Sequence, residues 1–278
     1  MDSTADPLGR HFARSVIVAQ VLDRSWHGEA PRALPTIHSV SMDRPWVWLR
    51  QGFKDMRRSA LYSLAHGCLV MSMGMLLLVA SLKVEELIPA WICGFFLIAP
   101  FLAMPFFKAA KALENGQSTK HLTTLSAWRD NTKSIALFGL MLAIMLMVWM
   151  RTAVIIFALF DGNVVPDLDT LMSDILFSGQ YTGLAMTYIS SGAVLAMTVF
   201  ALSVVSGPML LDKTETDLFT AVSTSIRVCL ANPKVMLLWA ALIVALTAVG
   251  FATGMVGLIA IFPWIGHATW HAYRDLVD

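Results

Sequence analysis

ANPKVMLLWAALIVALTAVGFATGMVGLIAIFPWIGHATWHAYRDL, residues 231–276, contains one apolar run from 233 to 273. A crossing of the hydrocarbon core, about 30 Å thick, takes about 20 helical residues at about 1.5 Å each. A helix of about 40 residues would be roughly 60 Å long, so this run must turn once. Gly254 and Gly257 in FATGMVG lie near its middle, and Asn232-Pro233 opens it with a cap-type residue followed by proline at the first helical position. The stretch therefore predicts two spans, about 233–251 and 255–273.

Working outward, further apolar runs predict spans at about 60–82, 87–107, 135–158 and 184–211. The fold class is all-α integral membrane, with six transmembrane helices in a domain 44–278. Composition agrees, because 57% hydrophobic and 14% charged residues lie far from a soluble domain's balance of about half apolar and a quarter charged. Residues 1–43 read as a cytoplasmic tail without a signal peptide, since Arg10, Arg14 and Arg24 interrupt its apolar run. In that tail Phe12, Val16, Ala19 and Trp26 have the spacing of a short amphipathic helix, and Pro31 and Pro35 mark a linker.

The loops set the expected orientation. Arg44, Arg50, Lys54, Arg57 and Arg58 precede the first span; Lys108, Lys111, Lys120, Arg129 and Lys133 fill the second loop; Lys213, Arg227 and Lys234 the fourth; Arg274 follows the sixth. The opposite loops hold Lys83 with Glu85 and Glu86, then Asp161, Asp167, Asp169 and Asp174 with no Lys or Arg. The positive-inside rule predicts both termini in the cytoplasm. PDLDTLMSDILF, 166–177, reads as a helix lying on the outer surface.

An internal repeat accompanies this pattern. FKDMRRS (53–59), WRDNTKS (128–134) and IRVCLAN (226–232) precede the first, third and fifth spans. Each places an apolar residue (Phe53, Trp128, Ile226) beside a base (Lys54, Arg129, Arg227) and ends on a cap type (Ser59, Ser134, Asn232). The apolar residue would pin a surface helix, the base would meet lipid phosphates, and the last residue would cap the span. Trp46 and Leu49, Leu122 and Leu125, and Phe219 and Val222 extend the three stripes. The exiting helices also rhyme: Pro100 precedes Lys108 and Lys111 as Pro263 precedes His271 and Arg274, and Pro208 precedes Asp212 as Pro263 precedes His267. The expected architecture is three parallel repeats of interfacial helix plus helical hairpin about a pseudo-threefold axis normal to the membrane.

RPWVWLRQGFKD (44–55), FALSVVSGPMLLD (200–212), residues 231–250 and GHATWHAYRDLV (266–277) resemble the bacterial membrane family known as domain of unknown function 2189. The resemblance covers roughly residues 40–278 and implies six helices, without a mechanism. Some members of that family are labelled as cytochrome c oxidase. A haem-copper core needs more histidine at membrane depth than this chain offers: His11, His27, His38 and His121 fall in tail or loop, leaving His66, His267 and His271.

His267 and His271 share a helix face at i,i+4, a weak metal signal that His66 or Cys229 could join. The structural alternative places His66, His267 and Asp212 in a polar layer at the cytoplasmic end of the bundle, and His271 at the interface with Trp270, Tyr273 and Arg274. Arg151 is the charge deepest within a span; such a charge costs about 2.5–3.5 kcal/mol on insertion scales, offset by snorkelling outward or by meeting Asp161 or Asp174. Cys68, Cys93 and Cys229 form no CxxC and read as small buried or half-buried side chains. Signatures of nucleotide-binding and hydrolytic enzymes are missing: no GxSxG, P-loop or GxGxxG.

Three readings follow. The first is a non-enzymatic scaffold or assembly partner of membrane complexes, respiratory ones among them, with membrane lipids as partners and no cofactor. The second is a transporter or channel for a small or lipidic solute, with Ser190, Ser191, Thr198, Ser203 and Ser206 facing a central cavity; otherwise these small residues serve helix packing. The third is haem or metal binding linked to an oxidase. A net charge of +1 gives no reason to expect nucleic acid.

Overall fold

In the computed structural model, residues 35–81, 88–119, 127–129, 131–160 and 182–278 are described. They form ten helices: α1 Arg44–Arg58, α2 Ala60–Ser81, α3 Ile88–Leu102, α4 Met104–Glu114, α5 Thr132–Phe160, α6 Thr182–Ser203, α7 Ser206–Asp212, α8 Leu218–Ala231, α9 Pro233–Ala252 and α10 Leu258–Leu276. The tail helix and the 166–177 helix expected from sequence lie outside the described residues, as do Leu122 and Leu125. Residues 60–79, 132–160, 182–212 and 233–252 are long and apolar enough to cross a membrane. The other two expected spans depart from this description. Helix α3 ends after 15 residues, and α10 carries its polar groups in its last turns.

Prolines explain the broken helices. Pro208 lacks an N–H and clashes with the carbonyl four residues earlier, that of Val204, and the chain turns at Val204–Val205 between α6 and α7. The other break, at Ala103, belongs to Pro105 at the start of α4 and not to Pro100, which stays inside α3. Pro263 also stays inside a helix. The carbonyl it leaves free is that of Ile259, and α2 packs against this oxygen at Gly67, where a Cβ would lie 2.1 Å from it. The turn expected at FATGMVG is present: Gly254 and Met255 have positive φ, and the Gly257 N–H donates to Thr253 Oγ1 at 2.8 Å.

α10 is the hub. It packs against α1, α2, α4, α7 and α9. Close approach to α1 depends on Gly52, where a Cβ would lie 2.5 Å from the backbone nitrogen of Ala268. The buried aromatic groups Trp48, Trp239, Trp270, Tyr273 and Phe106 surround this crossing, with Trp48 edge-on to Trp239 at 5.6 Å. Residues 36–40, placed in the tail from sequence, join this compact unit instead. Ile37 bridges Val277, the His38 N–H donates to the Leu276 carbonyl at 3.0 Å, and the tail boundary therefore moves to 35.

The three expected caps are corrected. Ser134 lies inside the first turn of α5. Ser59 stands between α1 and α2 and donates its hydroxyl to the Asp55 carbonyl at 2.9 Å. Asn232 precedes α9 but leaves its amides uncapped; it accepts from the Val40 N–H and donates to the His38 carbonyl, both at 3.0 Å. Asn131, before α5, likewise donates to the Thr216 carbonyl at 2.8 Å. At both helix starts the amide ties neighbouring backbone, which offers a donor and an acceptor partner that a cap does not.

Candidate functional site

Two combs of side chains at four-residue spacing interlock where α10 crosses α1 and α2. Asp55, Ser59 and Ser63 form one comb; His267 and His271 form the other. Spacing of four puts the members of each comb on one helical face. His267 has no accessible surface, and its Nε2 lies 3.0 Å from Ser63 Oγ and 3.4 Å from Ser59 Oγ. The two serine hydroxyls are 2.9 Å apart. Nδ1 of His267 is buried without a hydrogen-bond partner. One turn on, His271 Nε2 meets Asp55 Oδ2 at 2.7 Å, and Arg58 lies 3.9 Å from the other carboxylate oxygen.

A second cluster joins α10 to α4 and α7. Tyr273 donates its hydroxyl to Asp212 Oδ2 at 2.8 Å, and Lys111 meets Asp212 Oδ1 at 3.0 Å. Arg274 reaches Asp212 at 3.4 Å and Glu114 at 3.1 Å, while Trp270 Nε1 donates to Glu114 Oε2 at 2.9 Å. A third links α10 to the start of α1: Asp275 accepts from Arg44 Nε at 2.7 Å and from Trp48 Nε1 at 2.6 Å. These clusters tie α1, α4 and α7 to the last turns of α10 through charged and aromatic side chains. Partly buried ion pairs of this kind fix which helix faces which more than they add net stability, because desolvation offsets much of the Coulomb gain.

Of the three residues expected to share a polar layer, only His267 belongs to the combs. His66 holds its Nδ1 2.8 Å from the Tyr62 carbonyl and stacks on Tyr62 at 4.1 Å. That geometry makes Nδ1 the protonated nitrogen of His66. Phe106 lies 6.1 Å from the rings of both His66 and His267, so an aromatic ring stands between them. Asp212 belongs to the separate Tyr273–Lys111–Arg274 cluster. Trp270 and Tyr273, expected at the depth of the interface, are buried within the protein, and His271 faces Asp55. Each buries its apolar body and finds an acidic partner inside the bundle.

On the surface, Phe53 packs edge-on to Trp264 at 5.5 Å, Arg57 lies over Phe53, and Lys54 is exposed beside them. Leu49, expected on the exposed stripe with Trp46, is buried. Ile226 and Arg227 lie on the exposed face of α8, and Trp128 packs on Phe101 at 5.7 Å beside the exposed Arg129. Arg151 is exposed on α5; Asp161 and Asp174 lie outside the described residues. Cys68 is exposed and not buried, and Cys229 is half-buried. Among the described residues no three His, Cys, Asp or Glu side chains gather closely enough to hold a metal ion.

Higher in the bundle, a cavity of about 490 Å³ lies among α3, α4, α6, α9 and α10. Its lining is apolar except for Ser203, Thr247 and Thr269, and Thr269 turns its hydroxyl to the Ile265 carbonyl at 2.8 Å. Ser190, Ser191 and Thr198 are not on this cavity; they line a groove with Val148 and Thr152 of α5. Ser206 is buried and donates to the Leu202 carbonyl.

Sequence reasoning missed Asp55, Ser63, Glu114 and Asp275. The signal for the first two was present, since DMRRSALYS places acid, hydroxyl and hydroxyl four apart, matching the histidine spacing. Residues 87–212 match the family model described as predicted integral membrane protein (DUF2189), the family that the sequence resembles. No curated protein and no solved structure gives a significant match to this chain.

Proposed function

We propose that this integral membrane protein is a non-enzymatic scaffold or assembly partner of membrane complexes in the bacterial inner membrane. In this reading it has six spans, both termini are cytoplasmic, and the three hairpins are parallel repeats. The observation that carries the scaffold role is the use made of polar groups around α10. His267, His271, Asp55, Asp212, Glu114 and Asp275 are each engaged by side chains of other helices, and Ser63 and His267 have no accessible surface for a substrate. Chemistry on a substrate needs a group it can reach. The outward faces supply what assembly needs: α5 presents Leu140, Met147, Ile155 and Leu159, and α1 presents Trp46 and Phe53 among Arg50, Lys54 and Arg57. Apolar helix faces pack on other membrane helices, and a basic aromatic stripe suits anionic headgroups.

The test is a comparison of native membranes with and without the protein by blue-native electrophoresis, combined with cross-linking of gently solubilised material. Expected is one multi-subunit complex, respiratory or other, that carries the protein and falls in abundance when it is absent. Unchanged complexes together with solute flux in proteoliposomes would replace this reading with transport. The apolar cavity favours a lipidic solute over a hydrated one for that second reading.

A further inference from the structure

We propose that the cavity between α6 and α9 holds an acyl chain of an anionic glycerophospholipid from the surrounding bilayer, with its headgroup at Lys234. This rests on the membrane placement of the helices and is independent of the scaffold role.

The position of the opening carries the proposal. Every exposed residue of the lining belongs to α6 or α9: Ala193 and Met197 on one side, Leu237, Ala241, Val244 and Ala245 on the other. The lining residues from α3, α4 and α10 are buried or half-buried and form the back wall. α6 and α9 face each other across the cavity without packing closely. A side opening between two spanning helices meets hydrocarbon, since each is apolar along its length. Water is a poor occupant, because apolar cavities of about 150 Å³ stay dry and accept apolar molecules, and this one is about 490 Å³. Left empty, its walls would forfeit dispersion contacts on one side. A flexible acyl chain entering from the bilayer supplies them.

The headgroup follows from register. Lys234, Leu237, Ala241 and Val244 succeed one another by three, four and three residues, so they share a face of α9. Lys234 is exposed in the first turn of that helix, beyond Leu237 at the rim. A chain lying along the opening thus brings its phosphate beside an ammonium group, and a headgroup without a cation of its own leaves the phosphate charge uncompensated and strengthens the contact.

The experiment starts from protein in nanodiscs of phosphatidylglycerol and phosphatidylethanolamine in equal amounts with matched chains, followed by mild extraction and native mass spectrometry. One retained phospholipid is expected, with phosphatidylglycerol favoured about fivefold, the factor one lysine supplies near a headgroup. Ala196→Phe with Ala241→Phe, which fills the opening, should lower retention about tenfold. Lys234→Gln should keep the lipid and lose the headgroup preference. Val154→Phe, on the exposed face of α5, should change neither. Wild-type protein in a bilayer with photoactivatable acyl chains should cross-link at lining residues such as Ala240 and Thr269, a readout independent of how the variants fold. Equal retention in the filled and control variants, cross-links confined to outward faces, a dimer joined through α6 and α9, or no retained lipid would each overturn the proposal.

Discussion

His267 has both ring nitrogens sealed from solvent, yet only Nε2 finds partners, in Ser63 and Ser59. A buried polar atom without a hydrogen bond costs free energy that the surroundings must offset, here through the packed rings of Phe106 and the close α1–α10 crossing. His267→Ala removes the ring and leaves a void, so it should destabilise the protein by about 3 kcal/mol in thermal or denaturant unfolding. The purified protein should show no Soret absorption before or after that change; a Soret band that vanished in the variant would establish haem ligation instead. Ser63→Ala should cost about 1–3 kcal/mol, because it takes away the shorter of the two hydrogen bonds. If Ser63→Ala were neutral, the comb would be a packing feature and not a hydrogen-bonded one. From sequence the His267–His271 pair was legible as a face. Its partners were not, since spacing tells which residues share a helix side and not which helix stands opposite.

At the scale of elements, helix ends and crossings carry the specificity. Asp217 caps α8, accepting from the N–H and hydroxyl of Thr220 at 2.9 and 2.8 Å. These bonds hold its carboxyl below the usual carboxylate range. A folded value below the unfolded one, about 3.9, gives a stabilisation fully present above the unfolded value and lost as pH falls through the folded one. Asp217→Ala should therefore lower stability by about 1 kcal/mol at neutral pH, and the gap from wild type should close on acidification. A gap that stayed constant into strong acid would remove the cap from the account. The α2–α10 crossing is more exacting: Gly67→Val must push α2 off the Ile259 carbonyl that Pro263 leaves free, and should cost about 3 kcal/mol through overpacking. Proline positions in the sequence do not by themselves locate the breaks, because Pro100 and Pro263 sit in intact helices while Pro208 and Pro105 accompany breaks. At Pro263 the neighbouring α2 accommodates the freed carbonyl at Gly67, which is a tertiary property.

For the whole molecule, run length was the legible quantity. It gave the membrane class, the starts of α2 and α9, and the single turn at Gly254, because each follows from a local rule about helix length or backbone freedom. The side opening, the hub role of α10 and the ties made by Asn131 and Asn232 were not legible, since all depend on which faces meet. The proposed orientation has a direct test. A reporter active only in the periplasm should stay silent when fused after Lys213 and be active when inserted near Asp169; the reverse pattern would invert the protein in the membrane.

The stitching of residues 36–40 and α1 to α10 also sets an order of events during synthesis. Trp48, Gly52 and Asp55 emerge from the ribosome some two hundred residues before the helix that receives them. Until Leu258–Leu276 is made, Asp55 lacks its histidine partner, Trp48 lacks the carboxylate of Asp275, and the contacts that α10 makes with α1, α2, α4 and α7 are missing. A nascent chain stopped before Leu258 should therefore remain sensitive to membrane proteases, whereas one extended through Val277 becomes resistant in a single step. Synthesis of α10 is therefore expected to be the step that locks these helices together.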